Sequence, residues 1–168
     1  GQVRAIFAAR EFADTTTVEF FAPASSSATS RVIDAFELEN SFATFTFDAS
    51  NAFLHVPERE YVLVQPPEEH RARLRERGLN DDVLWRMRRV LYGRRPAAQA
   101  WVTWLAEELV TRCRLAQYDA VPVYFRGEGT LRLEVHMDDG HGAGSEKEIA
   151  EFFELLGQNV LIKTSGPH

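Results

Sequence analysis

Leu131-Arg132-Leu133-Glu134-Val135-His136-Met137-Asp138-Asp139 is the stretch on which the fold turns. Residues 131, 133, 135 and 137 are apolar, while 132, 134, 136 and 138 are polar or charged. A period of two marks a half-buried strand, because successive side chains point to opposite faces. Asp138 then falls on the open face. Well upstream, Thr44-Phe45-Thr46-Phe47-Asp48 repeats the pattern, with Phe45 and Phe47 on one face and Thr44, Thr46 and Asp48 on the other. Asp disfavours strand interiors, and adjacent carboxylates repel. If the two strands are neighbours, Asp48 meets Asp138 and Asp139 on the side away from the core. A hard, oxygen-seeking cation, Mg2+ or in its place Mn2+, is the natural guest of such a group. Three aspartates around two such ions serve phosphoryl transfer. A plainer reading stays open, with Asp48 a strand-end residue and Asp138-Asp139 a solvated turn.

Outward from these strands the chain reads as α+β. Residues 3–9 carry a strand pattern, and the Thr-, Ser- and Ala-rich residues 14–30 lead into a helix over 29–38. Residues 43–48 form the first aspartate strand, a short helix follows through 51–54, and 61–65 is a short strand. A helix over 68–77 stops at Gly78, and residues 83–91 alternate like a strand. Pro96 suits the first turn of a helix. The apolar stripe of that helix is Trp101, Leu105, Leu109 and Cys113, with Trp104 beside it. Strands over 121–126 and 130–137 are joined by Gly127-Glu128-Gly129. Ser145 with Glu148 makes a capping box, Ile149, Phe152, Phe153 and Leu156 repeat at helical spacing, and Gly157 is a stop. Residues 159–164 are a last strand. The expected architecture is one antiparallel sheet with helices packed on one face.

At 168 residues and 45% hydrophobic, the chain suits a single domain with a sizeable core. No apolar run approaches the ~20 residues of a spanning helix, and the first residues carry no signal-peptide pattern. The single cysteine, Cys113, excludes an intrachain disulfide and suits a reducing, intracellular compartment. There is no Cys/His spacing for zinc. A net charge of −6 argues against a generic nucleic-acid binder. Its distribution is uneven: nine of the 19 basic residues lie between Arg71 and Arg95, and all nine are Arg. Arg is suited to phosphate contact. Arg71, Arg73, Arg75 and Arg77 read instead as a solvated helical insertion.

Several words stand in a familiar order: Phe47-Asp48-Ala49-Ser50-Asn51-Ala52-Phe53-Leu54-His55, Glu60-Tyr61-Val62, Gln65-Pro66-Pro67, Leu84-Trp85-Arg86-Met87-Arg88-Arg89-Val90-Leu91-Tyr92-Gly93, Ala100-Trp101 and Met137-Asp138-Asp139. In this order they resemble the reverse transcriptase of copia-type LTR retrotransposons, over roughly residues 4–163, and Phe20-Phe21-Ala22-Pro23 resembles a further family segment. The resemblance implies a polymerase palm over 41–59 and 96–168 and partial fingers over 1–40 and 60–95. It implies an RNA-directed DNA polymerase that transfers a nucleotidyl group from a dNTP to a primer 3′-hydroxyl with two Mg2+. Asp48 and Asp138 would hold the metals with the backbone carbonyl of Ala49, and Asp139 would be a weaker or outer ligand. Phe53 matches the family's bulky gate against the ribose 2′-hydroxyl, with plain core packing as its alternative. Tyr92-Gly93 matches the segment against the incoming nucleotide, though Tyr92 equally suits a strand end. Arg86, Arg88, Arg89, Arg94 and Arg95 flank these words as candidates for the nucleic-acid backbone, and His136 and Met137 lie where the primer end is held. Implied partners are an RNA template, a DNA primer, dNTP and the remainder of a Pol polyprotein, with no membrane. The implied setting is a cytoplasmic virus-like particle with a nuclear phase.

The chain departs from the family pattern at several positions. His136 stands where the family has Tyr two residues before the doublet. Gly140-His141-Gly142 replace apolar residues, which is expected to weaken the returning strand. Arg94-Arg95-Pro96-Ala97-Ala98-Gln99 carries its proline at 96 rather than 98. The fingers read as cut short and no thumb follows, so the expectation is a fingers-palm piece with little activity by itself. The alternative is an inactive or domesticated remnant that binds nucleic acid or a protein without chemistry. A metal phosphodiesterase is weaker, because no His/Asp cluster beyond these aspartates is visible.

Overall fold

The structure, a computed structural model, describes residues 8–9 and 26–168. Phe20–Pro23 and most of the strand expected over 3–9 lie outside the described residues. Ala8 bridges Tyr92 in parallel, and the Ala9 N–H donates to the Tyr92 carbonyl at 2.7 Å.

The chain runs α1 (Ser27–Asn40), β1 (Ala43–Ala49), a 3-10 turn (Ala52–His55), β2 (Leu63–Val64), α2 (Glu68–Glu76), β3 (Trp85–Arg86) and α3 (Ala97–Thr111). It continues with β4 (Ala116–Tyr118), β5 (Val121–Arg126), β6 (Arg132–His136), β7 (Asp139–Gly144), α4 (Glu146–Gly157) and β8 (Ile162–Ser165). Six strands form one antiparallel sheet in the order β4-β5-β6-β7-β1-β8, and β2 and β3 form a separate ribbon. The fold is therefore α+β with an antiparallel sheet, as the periodicities implied. Among the described residues no helix is long and apolar enough to cross a membrane.

One face of the sheet carries the core. Phe45 and Phe47 of β1 and Leu133 and Val135 of β6 are buried with Trp101, Leu105 and Leu109 of α3 and Ile149, Phe152 and Leu156 of α4. This is the stripe expected from the 3.6-residue repeat. The other face is not bare, which corrects the expectation of helices on one face only. There α1 buries Ile33, its Ser30 Oγ donates to Glu134 Oε2 at 2.9 Å, and Arg132 lies over the Phe36 ring at 4.7 Å.

The returning strand corrects a second expectation. Gly140 and Gly142 do not weaken β7; they are the condition of its pairing with β1. Phe47 is the in-register partner of Gly140, and Phe45 of Gly142. A Cβ at Gly140 would stand 2.1 Å from Phe47 Cε1, and one at Gly142 would stand 2.4 Å from Phe45 Cζ. The two rings lie across the bare glycines and supply the apolar cover that β7 lacks.

Smaller differences follow from exposure. Of residues 83–91 only Trp85–Arg86 pairs as strand, and its two side chains are exposed. β4 was not anticipated. Gly157 is the last helical residue and keeps a right-handed successor, Gln158, instead of supplying a left-handed stop. Gly78, with φ +66°, does end the turn after α2. No residue of α2 is buried, and its Arg75 pairs with Glu68 and Asp81, as a solvated helix should.

Candidate functional site

Asp48, near the end of β1, has Asp139, the first residue of β7, as its in-register partner. Asp138 sits one residue earlier, in the two-residue turn Met137-Asp138 between β6 and β7. Its carbonyl accepts the Ala49 N–H at 2.7 Å. The sequence placed Asp138 on a strand beside that of Asp48. In the sheet β7 separates β6 from β1, so Asp139 is the ladder partner and Asp138 reaches Ala49 from the turn. The doublet and Asp48 are nonetheless brought to one end of the sheet.

The turn is held in an uncommon shape. Met137 has φ 54°, and Asp138 is not among the residues with positive φ. Positive φ at the first central residue alone is the pattern of a type II′ turn, which usually takes glycine there. Trp101 fixes it from below: its Nε1–H donates to the Met137 carbonyl at 2.8 Å. The sequence marked Trp101 as core and as part of the family word Ala100-Trp101, without a hydrogen-bonding role. A buried indole needs an acceptor, and that need was the available signal.

Beyond β1, Asn51 turns left-handed at φ 56° and starts the 3-10 turn that carries Phe53. The Phe53 ring lies 4.6 Å from the Tyr92 ring and also packs against the core. The Tyr92 phenol is pushed above its usual value, first by burial and then by the carboxylates of Asp138 and Asp48. One phenol thus senses both charges. Gly93 has φ +87°, and a Cβ there would stand 2.0 Å from the Ala9 carbonyl oxygen. The close approach that requires glycine is therefore made by Ala9 of the same chain.

The five candidate arginines divide. Arg94 is withdrawn from the nucleic-acid track: its side chain is 5% exposed and pairs with Glu58 and, at 2.8 Å, with Glu60. It ties the loop after the 3-10 turn to the segment behind Tyr92. Arg86, Arg88, Arg89 and Arg95 are exposed. Arg86 lies 4.9 Å over the Tyr61 ring, and Arg89 donates to the His55 carbonyl at 2.6 Å.

His136 is exposed and is the in-register partner of Asp139 across the β6–β7 ladder. A cavity of about 420 Å³ opens beside it, with Asp48, Asp139, Glu134 and Lys163 in its walls. Lys163 was missed in the sequence. It pairs in register with Asp48, and its Nζ lies 3.5 Å from Asp48 Oδ2. Cross-strand register is a long-range property, so nothing local marked it. Among the described residues no three His, Cys, Asp or Glu side chains already converge as a metal cage. The chain matches no protein-family model, no curated protein and no solved structure.

Proposed function

We propose that the chain is a palm with part of the fingers of an RNA-directed DNA polymerase of the copia-like kind that its motif order resembles. One observation carries the reading: the β1–β7 pairing sets Asp48 against Asp139, with Asp138 in the adjoining turn bonded through its carbonyl to the Ala49 N–H. The donor set suits Mg2+, which takes hard oxygen ligands and is commonly held by one or two carboxylates plus substrate phosphates rather than by an all-protein cage. Asp48 and Asp138 would hold it, with the Ala49 carbonyl and Asp139 as further oxygen donors. When bound, Mg2+ lowers the pKa of an attacking hydroxyl and stabilises the departing pyrophosphate. The protein's own part is to position and to neutralise. Phe53, braced by Tyr92, presents bulk on the side where a ribose 2′-hydroxyl would enter. Exposed Arg86, Arg88 and Arg89 offer guanidinium groups to template or primer phosphates.

A second reading, a binding fold without chemistry, draws support from Lys163, an ammonium that already stands beside Asp48. The two readings separate on metal binding. Under the first, Mn2+ used as a probe binds at this end of the sheet, and Asp48→Asn and Asp138→Asn each weaken it at least tenfold. RNA-templated extension of a primer by one nucleotide is then lost with Asp138→Asn. Metal binding that is unchanged in both variants overturns the polymerase reading. Primer-template binding should also weaken with salt, and more so through Arg86, Arg88 and Arg89 than through Arg71, Arg73 and Arg75.

A further inference from the structure

The open face of the sheet carries a carboxylate of which one oxygen is used by neither the fold nor the proposed chemistry. Glu134, in the middle of β6, is 4% exposed. Its Oε2 accepts from Ser30 Oγ of α1 at 2.9 Å, while its Oε1 is buried without any hydrogen-bond partner. Two nearby basic side chains are engaged elsewhere. Arg132, two residues earlier on the same face, lies over the Phe36 ring and donates to the Gly129 and Leu131 carbonyls. His141, the partner of Glu134 in β7, is turned to Asp34, with its Nε2 3.5 Å from Oδ1. A buried carboxylate is costly unless something both neutralises it and donates to it.

Glu134 lines the cavity of about 420 Å³ that also reaches Asp48 and Asp139. The ionisable groups in those walls are three carboxylates, the ammonium of Lys163, which lies against Asp48, and the imidazoles of His136 and His141, the latter turned to Asp34. Ser30, Thr46, Thr164 and Ser165 add hydroxyl groups. The volume is in the range of small-molecule sites. We propose that this cavity binds a small organic cation with several N–H donors, of the alkylammonium or guanidinium class, anchored on Glu134. The inference does not depend on the polymerase reading, although the two sites share Asp48 and Asp139.

Agmatine, which carries both an ammonium and a guanidinium group, is the probe. Calorimetric titration of the full 168-residue chain at fixed ionic strength should show saturable one-to-one binding. Tetramethylammonium, which has the charge without N–H donors, should not compete. Glu134→Gln should weaken agmatine at least tenfold and leave Mn2+ binding unchanged. Asp138→Asn should do the reverse, because Asp138 is not in the cavity wall. If Glu134→Gln fails to fold, nuclear Overhauser contacts between agmatine methylenes and the His141 ring protons in the unaltered protein decide the matter, and their absence overturns the proposal. So does an absence of saturable binding, equal binding of tetramethylammonium, or an unchanged agmatine affinity in folded Glu134→Gln.

Discussion

Strands β6 and β7 have two unlike faces. Toward α3 and α4 they present Leu133, Val135, Gly140 and Gly142, closed over by Phe45 and Phe47. Toward α1 they present Arg132, Glu134, His136, Asp139 and His141. The first face is filled by shape, and a volume change there has nowhere to go. The second is polar, partly covered by one helix, and leaves a cavity. The same backbone thus carries stability on one side and candidate chemistry on the other, and substitutions on the two sides should separate those properties.

The largest effect belongs to the filled face. Gly142→Val places a Cβ against the Arg132 carbonyl oxygen and the Phe45 ring, both 2.4 Å away. It should lower stability by about 3 kcal/mol or more in urea unfolding, at or beyond the upper end of overpacking costs. On the open face, His136→Ala should stay within about 0.5 kcal/mol, as exposed substitutions usually do. Comparable losses from both would erase the contrast. Trp101→Phe crosses from one face to the other. It leaves the Met137 carbonyl without its indole donor, so about 1–3 kcal/mol of stability should be lost. Because that carbonyl shapes the turn of Asp138, Mn2+ affinity should fall as well. A stability loss with unchanged Mn2+ affinity would confine Trp101 to packing.

What was legible in the sequence was local. The period-two runs at 44–48 and 131–137 are properties of a few adjacent residues, and they became β1 and β6. The stripe Trp101, Leu105 and Leu109 and the box of Ser145 with Glu148 are likewise local, and α3 and α4 follow them. Register was not legible. Gly140-His141-Gly142 looks like a broken strand until Phe47 and Phe45 are laid across it. Asp48 was readable as an open-face residue, but its partners Asp139 and Lys163 depend on which strands lie on either side of β1. Arg94 shows the same limit for charge. Nothing in Gly93-Arg94-Arg95 separates a phosphate contact from an arginine buried against Glu58 and Glu60.

A smaller effect tests how the polar face is joined to the core helix. Glu148 at the start of α4 accepts the Thr130 N–H at 2.9 Å and the Ser145 hydroxyl at 2.6 Å, as well as the Thr130 hydroxyl. Burial alone would raise its carboxyl, but the hydrogen bonds from Ser145 and Thr130 outweigh it and hold the pKa below the usual carboxylate range. The unfolded chain therefore binds this proton at a higher pH than the folded one. The stabilisation is present above the ordinary carboxylate pKa and is lost as pH falls through the folded value. Glu148→Gln should cost about 1–2 kcal/mol at neutral pH, and the difference from the unaltered chain should shrink toward acid. A cost that is constant with pH would mean that shape, not charge, joins Thr130 to α4.

The least disruptive test leaves stability nearly untouched and reads the site itself. Tyr92 is pushed up by burial, by Asp138 and by Asp48, in that order. Asp138→Asn removes one charge and keeps the shape, so the phenol should titrate at lower pH while staying above the ordinary tyrosine value. Asp139→Asn should move it less, since Asp139 is not among the charges acting on Tyr92. The raised pKa also fixes a stability sign: the contribution is present below the unfolded tyrosine pKa and is lost as pH rises through the folded one. Saturating Mg2+ should mimic Asp138→Asn, because a cation held by Asp48 and Asp138 cancels the field that holds the phenol neutral. It should then have little further effect in Asp138→Asn. Ultraviolet difference titration, with Tyr92→Phe to assign the signal, measures each of these states. A phenol that responds to Asp138→Asn but not to Mg2+ would mean that these carboxylates gather beside Tyr92 without holding a metal, and the fold would then stand closer to the binding module than to the polymerase.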